Sequence, residues 1–196
     1  MGIWEGNRVV GGASVRIPLE LPKKTSQTPE AQPSGLLVGR VLSVHDGDTL
    51  TVSLNGGKEK VRLIGIDAPE LTQTPWGTQA QEALERLVLD RIVQLETDIT
   101  EPDQYGRLLA YVYTGGTFVN LELLKQGQAV LYTVPPNVAH VDEYRKAQDE
   151  AQQAGQGVWN AVAPLTLSPD CYRKQRKGKD CRQVTESFNN HQRITQ

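Results

Sequence analysis

The stretch TLTVSLNGGKEKVRLIGIDAPE, Thr49 to Glu70, decides the fold. Its first six residues alternate, with Leu50, Val52 and Leu54 between Thr and Ser, the period of a half-buried strand. Asn55-Gly56-Gly57 follows, and these residues tolerate the positive φ of a tight hairpin turn. Residues 58–66 resume the strand, with Val61, Leu63 and Ile66 apolar. Upstream, residues 36–45 are rich in β-formers and stop at Asp46-Gly47. Three strands joined by short turns make a meander.

Downstream the period changes. Thr74-Pro75 reads as a helix start, Thr capping and Pro at the first helical position. Ala80, Ala83, Leu84, Leu87 and Val88 then recur at helical spacing up to Asp90. Residues 91–97 and 107–114 are further strands. Asn120 is placed to cap a short helix ending at Gly127, and residues 140–154 form a third helix before Gly155. The order β-β-β-α-β-β-α-α predicts an α+β domain: a bent five-stranded barrel of the OB type with three helices. Trp76, Trp159, Tyr111, Tyr113 and Tyr144 read as packing residues.

Three segments differ in charge. Residues 1–35 hold four Lys/Arg and three Asp/Glu, broken by Pro18, Pro22, Pro29 and Pro33, and read as a flexible arm. Residues 36–162 hold ten Lys/Arg against seventeen Asp/Glu and form the folded domain. Residues 163–196 hold seven against three and read as a basic tail, a solvated extension or an electrostatic arm for a polyanion. No apolar run is long enough for membrane insertion. No basic region leading into an apolar one opens the chain as written, so no secretory signal is read, although a trimmed form stays open.

Three clusters carry chemistry. Asp46-Gly47-Asp48-Thr49 is either a plain hairpin turn or a bend that aims Asp46 and Asp48 at one pocket. Two such carboxylates repel unless a cation lies near, and oxygen ligands without His or Cys favour calcium or magnesium over zinc. In Arg62–Glu70 the third strand ends near Asp67, and Pro69 restrains the chain so that Asp67 and Glu70 are aimed reproducibly. Arg62 pairs with one of those acids or grips a phosphate. Asp103-Gln104-Tyr105-Gly106-Arg107 is a turn opening the fifth strand, with Arg107 solvated or holding two phosphate oxygens at once.

These motifs resemble the staphylococcal nuclease family over residues 38–160. The likeness rests on D-G-D-T, R-L-x-x-I-D-x-P-E, the Trp76-Gly77 helix start with Ala80, D-x-Y-G-R-x-L-A-Y-V, the helix Val119-Asn120 to Gln126-Gly127, and Gly157-Val158-Trp159. The resemblance implies a Ca²⁺-dependent, sequence-nonspecific endonuclease that leaves 3′-phosphate ends. Asp48 and Asp67 would be direct Ca²⁺ ligands, with the Ala68 carbonyl a third and Asp46 reached through water. Glu70 would be the general base, and Arg62 and Arg107 would bind the scissile phosphate. Tyr132 would face the nucleotide base. The implied partners are DNA and RNA, preferably single-stranded or locally melted, acted on by a monomer. The loop at residues 71–74 is shorter than the lysine-rich loop of the best-known member, and Tyr132 stands where that member has two tyrosines. The alternative is a catalytically weak nucleic-acid-binding or interaction module on the same barrel.

His45, His140 and His191 show no triad or zinc spacing. Cys171 and Cys181 bracket the basic stretch, as a disulfide in an oxidising compartment or as two thiols in a reducing one.

Overall fold

The computed structural model describes residues 36–98 and 102–181. The arm read at 1–35 and the chain beyond 181 lie outside the described residues.

Strand β1 (Leu36–Asp46) is the hub. It pairs antiparallel with β2 (Thr49–Leu54) on one side and β5 (Ile92–Glu96) on the other. Its register slips between Val41 and Ser43 and again between Val44 and Asp46. Such bulges bend a strand enough to serve both halves of a closed sheet. β2 pairs with β3 (Gly57–Leu63), and β5 pairs with β6 (Leu108–Thr114), both antiparallel. A parallel ladder from β3 to β6, Val61 opposite Leu108 through Leu63 opposite Ala110, closes the five-stranded mixed barrel. The OB-type α+β expectation is met. β7 (Thr117–Phe118) folds back on β6 and leads into α2 (Val119–Lys125).

The alternating side chains fill the barrel. Val41, Leu50, Val52, Val61, Leu63, Val93, Leu95 and Val112 are buried and form one core with Ala80, Ala83, Leu84 and Val88 of α1 (Trp76–Val88). α3 (Val141–Gln153) adds Tyr144 and Ala147. A smaller cluster of Val130, Ala151, Val158, Trp159 and Leu165 packs with Trp76. Trp76 and Trp159 are therefore packing residues, as are buried Tyr111 and Tyr144. No helix among the described residues is long and apolar enough to cross a membrane.

Several boundaries move for physical reasons. The third strand stops at Leu63 instead of 66, because Gly65 takes a positive φ and redirects the chain. Ile66 and Asp67 then form β4, paired with β8 (Val130–Leu131) in a separate two-stranded ladder. α1 begins at Trp76 with no side-chain cap from Thr74. Asn120 does not cap α2 but lies inside it, fully buried. Its Oδ1 accepts from the Val112 N–H at 2.9 Å and its Nδ2 donates to the Ile64 carbonyl at 3.0 Å. A buried amide here serves backbone groups that the ladders leave over.

The described residues hold four α-helices where the sequence predicts three. α4 (Pro169–Arg176) lies in the stretch read as tail. It is eight residues long and polar, so hydrophobic periodicity could not reveal it. Ser168 caps it, accepting from the Cys171 N–H at 3.3 Å, and Pro169 sits in its first turn. Cys171 and Cys181 are brought together with Cα atoms 5.6 Å apart, the spacing that the disulfide reading requires.

Candidate active site

The fold gathers the three clusters at one mouth of the barrel. A cleft of about 800 Å³ is lined there by Asp46, Asp48, Arg62, Glu70, Arg107 and Tyr132. Asp67 lies at the base of this cluster, fully buried, and Ala68 is buried beside it.

The turn after β1 places Asp46 and Asp48. Asp46 Oδ1 accepts from the Asp48 N–H at 3.0 Å, which fixes the bend. Gly47 is needed because a Cβ there would collide with the methyl groups of Ala68 and Ala80. Asp48 Oδ2 accepts from the Ala68 N–H at 2.7 Å, tying the first cluster to the second. Its Oδ1 accepts from the Thr49 hydroxyl at 3.0 Å. The Leu63 N–H donates to the Asp48 carbonyl at 2.9 Å, so the end of β3 is stitched to the same turn.

Arg62 bridges the two buried acids. Its Nη1 lies 2.7 Å from Asp48 Oδ2 and its Nη2 donates to Asp67 Oδ1 at 3.0 Å. Of the partners open in the sequence, Arg62 takes Asp67 but not Glu70, and adds Asp48. Burial pushes the Asp48 carboxyl up to about 6, opposed by Arg62 and assisted by Asp46. Burial does the same to Asp67, against the hydrogen bonds from Arg173 and with repulsion from Asp48. The cations around the pair, with the Ala68 N–H, favour its anionic form against burial.

Glu70 stands on a loop braced from behind. Its N–H donates to Gln73 Oε1 at 3.0 Å, and the Gln73 N–H donates back to the Glu70 carbonyl at 2.7 Å. Gly77 packs against the Glu70 carbonyl so closely that any side chain would displace it. Arg107 is held differently. Its Nε donates to Asp103 Oδ2 at 2.7 Å, while Asp103 Oδ1 accepts from the N–H groups of Tyr105 and Arg107. Burial opposes ionisation of Asp103, but Arg107 and those two N–H groups outweigh it and hold the carboxyl below its usual range. The guanidinium also lies 5.2 Å from the Tyr105 ring centroid. Tyr132 follows β8, its N–H donating to the Gly65 carbonyl at 2.9 Å.

Sequence reasoning missed four contributors. Asp103 is the orienting partner of Arg107, and Gln73 is the brace of Glu70. From α4, Arg173 binds Asp67 and Glu70 directly, and Lys174 lines the cleft. Ser168-Pro169-Asp170 was a readable helix start. Nothing in the sequence tells where Arg173 points. His45 donates or accepts at Thr51 Oγ1, 2.7 Å away, and His140 packs edge-on against Tyr111, so neither carries the site.

An OB-type barrel with acids and arginines gathered at one mouth defines a class of phosphodiester-cutting hydrolases, and sequence comparison agrees. The family model described as "Staphylococcal nuclease homologue" matches residues 60–161. The thermonuclease of Staphylococcus hyicus is 35% identical over 126 residues, covering 62% of this chain and 75% of that protein. The thermonuclease of Staphylococcus intermedius is 37% identical over 147 residues, covering 70% and 83%. An uncharacterized endonuclease of Haemophilus influenzae is 40% identical over 139 residues, covering 70% and 74%. The chain belongs to the staphylococcal nuclease family. It is a nuclease, and its substrates are nucleic acids.

Proposed function

We propose that this nuclease is a Ca²⁺-dependent endonuclease that hydrolyses DNA and RNA without sequence specificity, leaves 3′-phosphate ends, and works as a monomer on single-stranded or locally melted substrate. The observation that carries this reading is the convergence of Asp48, Arg62, Glu70 and Arg107 on one cleft, with Asp67 buried at its base. A barrel serving only as an interaction platform has no use for so complete a set.

The donor chemistry fits a hard divalent cation. Asp48 and Asp67 offer oxygen only, and burial makes both carboxylates costly without a counter-charge. Among the described residues no group of three His, Cys, Asp or Glu side chains gathers around one point. A cation here would therefore be held by Asp48 and Asp67, with the Ala68 carbonyl and water completing the set and Asp46 acting through water. Bound Ca²⁺ supplies charge neutralisation at the phosphate oxygens.

The chain's own groups do the rest. Arg62 and Arg107 grip the scissile phosphate and stabilise the charge that grows on its oxygens in the trigonal-bipyramidal transition state. Glu70 takes a proton from the attacking water, which approaches phosphorus in line with the departing 5′-oxygen. Tyr132 stands on the cleft wall for base contact, and a single ring there supports stacking of about 1–3 kcal/mol. The domain is acidic overall, but its cleft is lined by Lys60, Arg62 and Arg107 and, from the C-terminal segment, by Arg173, Lys174, Lys177 and Lys179, so phosphate affinity falls to these local cations. The test is incubation of plasmid and of heat-denatured DNA with Ca²⁺ or a chelator, followed by end-group analysis. Cutting restricted to Ca²⁺, fastest on denatured DNA and leaving 3′-phosphates, is expected. Full cutting in chelator would remove the cation from the account, and 5′-phosphate ends would reverse the assignment of the leaving group.

A further inference from the structure

The guanidinium of Arg173 rests on the two acids that the proposed chemistry needs. Its Nη1 donates to Asp67 Oδ1 at 3.0 Å and to Glu70 Oε1 at 2.9 Å, and its Nη2 donates to Asp67 Oδ2 at 2.8 Å. With Arg62 also on Oδ1, both oxygens of Asp67 are engaged by fixed cations. A metal using Asp67 must take an oxygen from a charge-assisted bidentate pair, among the stronger contacts a carboxylate makes. The Nη1 contact occupies one lone pair of Glu70 Oε1, and a guanidinium does not give up its own proton.

Arg173 reaches this place because α4 is strapped to the loop that carries Glu70. Tyr172 Oη donates to Thr72 Oγ1 at 3.0 Å, and Arg176 Nη1 donates to the same hydroxyl at 3.3 Å. Gln73, which braces the Glu70 N–H, donates from Nε2 to the Leu167 carbonyl at 3.0 Å. The buried Cys171–Cys181 bridge closes the segment that holds Arg173. No α4 residue belongs to the barrel core, so the barrel's closure does not rest on the helix.

We propose that Arg173 is a resident cation of the active site, one that a divalent metal must displace from Asp67 and Glu70 before cleavage, with the Cys171–Cys181 bridge setting how readily α4 lets it go. The inference rests on the metal reading above. It makes the C-terminal segment a control on metal entry and gives it a role beyond electrostatic attraction of nucleic acid.

The test is calorimetric titration of Ca²⁺ into the full chain without nucleic acid, for wild type, Arg173→Ala and Arg173→Lys, each oxidised and reduced. Arg173→Ala should bind Ca²⁺ about tenfold tighter or more, and Arg173→Lys, which keeps the charge but loses the fork, should fall between. Reducing the bridge should tighten binding to wild type and leave Arg173→Ala unchanged. Equal affinity in wild type and Arg173→Ala would overturn the displacement while leaving the metal reading intact. Where Arg173→Ala does not fold, Arg173→Lys and reduced wild type decide the matter, and no change in either overturns it. If no variant takes up Ca²⁺ and wild type cuts DNA in chelator, the metal reading itself fails and the displacement falls with it.

Discussion

Arg62 and Arg173 both donate to Asp67, and they are held in different ways. Arg62 leaves a strand in the middle of the barrel, is nearly buried, and bridges Asp67 and Asp48, the latter itself tied to the Ala68 N–H. Arg173 leaves a short polar helix, is one-third exposed, and is kept in place by a disulfide and a few surface hydrogen bonds. The first belongs to the folding of the barrel and cannot be withdrawn without cost to it. The second is an addition to a site already complete. In the proposed reading Arg62 serves the chemistry from within the barrel, and Arg173 controls metal access from outside it.

The comparison is most open to breakage at Arg62. Arg62→Ala leaves Asp48 and Asp67 buried beside each other with half their counter-charge gone. Unfolding in urea should show a loss of about 3 kcal/mol or more, and cleavage should fall by at least ~100-fold. Unchanged stability would mean that α4 and not the barrel holds these acids. Gly77→Ala comes next. The new methyl would meet the Glu70 carbonyl, and relief of that overlap should cost about 1–3 kcal/mol and slow cleavage by moving Glu70. Full activity in this variant would show that the Glu70 loop is not set from behind.

A smaller effect should appear with pH. Asp48 and Asp67 have raised folded-state values near 6 against an ordinary value of 3.8. The folded protein therefore keeps protons that the unfolded chain releases. The stability these two groups contribute is complete below about 4 and is lost as pH rises to about 6. In the proposed reading Ca²⁺ binds the deprotonated pair, so its lift of Tm should grow over the same interval and level off above it. A lift that is constant with pH would separate the cation from these carboxylates. Arg107→Ala should be smallest in stability, since its pair with Asp103 sits at the rim and is worth about 1 kcal/mol or less. Its cleavage rate should still drop by ~100-fold, parting function from stability where Arg62 joins them.

The barrel was legible because its strands alternate and its turns carry Asn-Gly and Asp-Gly. A closed barrel was expected from the strand count, but the closing pair was not legible, since the β3–β6 ladder is parallel and joins strands about forty-five residues apart. Pairing over that distance leaves no local mark. Asn120 was read as a helix cap because Asn favours such positions, but tertiary demand from Val112 and Ile64 drew it inside the helix. The acids and arginines of the cleft were named from motif and resemblance, and the fold brings them to one mouth. The partners of those residues were less readable. Asp103 and Gln73 act through hydrogen bonds that appear only once loops are placed. Arg173 was counted among the charges of a tail, and its destination about a hundred residues back in the chain depends on α4 docking, which polar composition conceals.

Glu70 is the proposed activator of water, and its replacement is the most direct test of the mechanism. Cleavage of heat-denatured DNA by Glu70→Gln, at Ca²⁺ concentrations that saturate both proteins, measures this directly. Gln keeps the size and the hydrogen-bond reach but cannot take the proton. The expected rate is about 10²- to 10⁴-fold below wild type, with Ca²⁺ affinity no weaker than wild type, since Gln also loosens the Arg173 contact. A rate equal to wild type would contradict the mechanism.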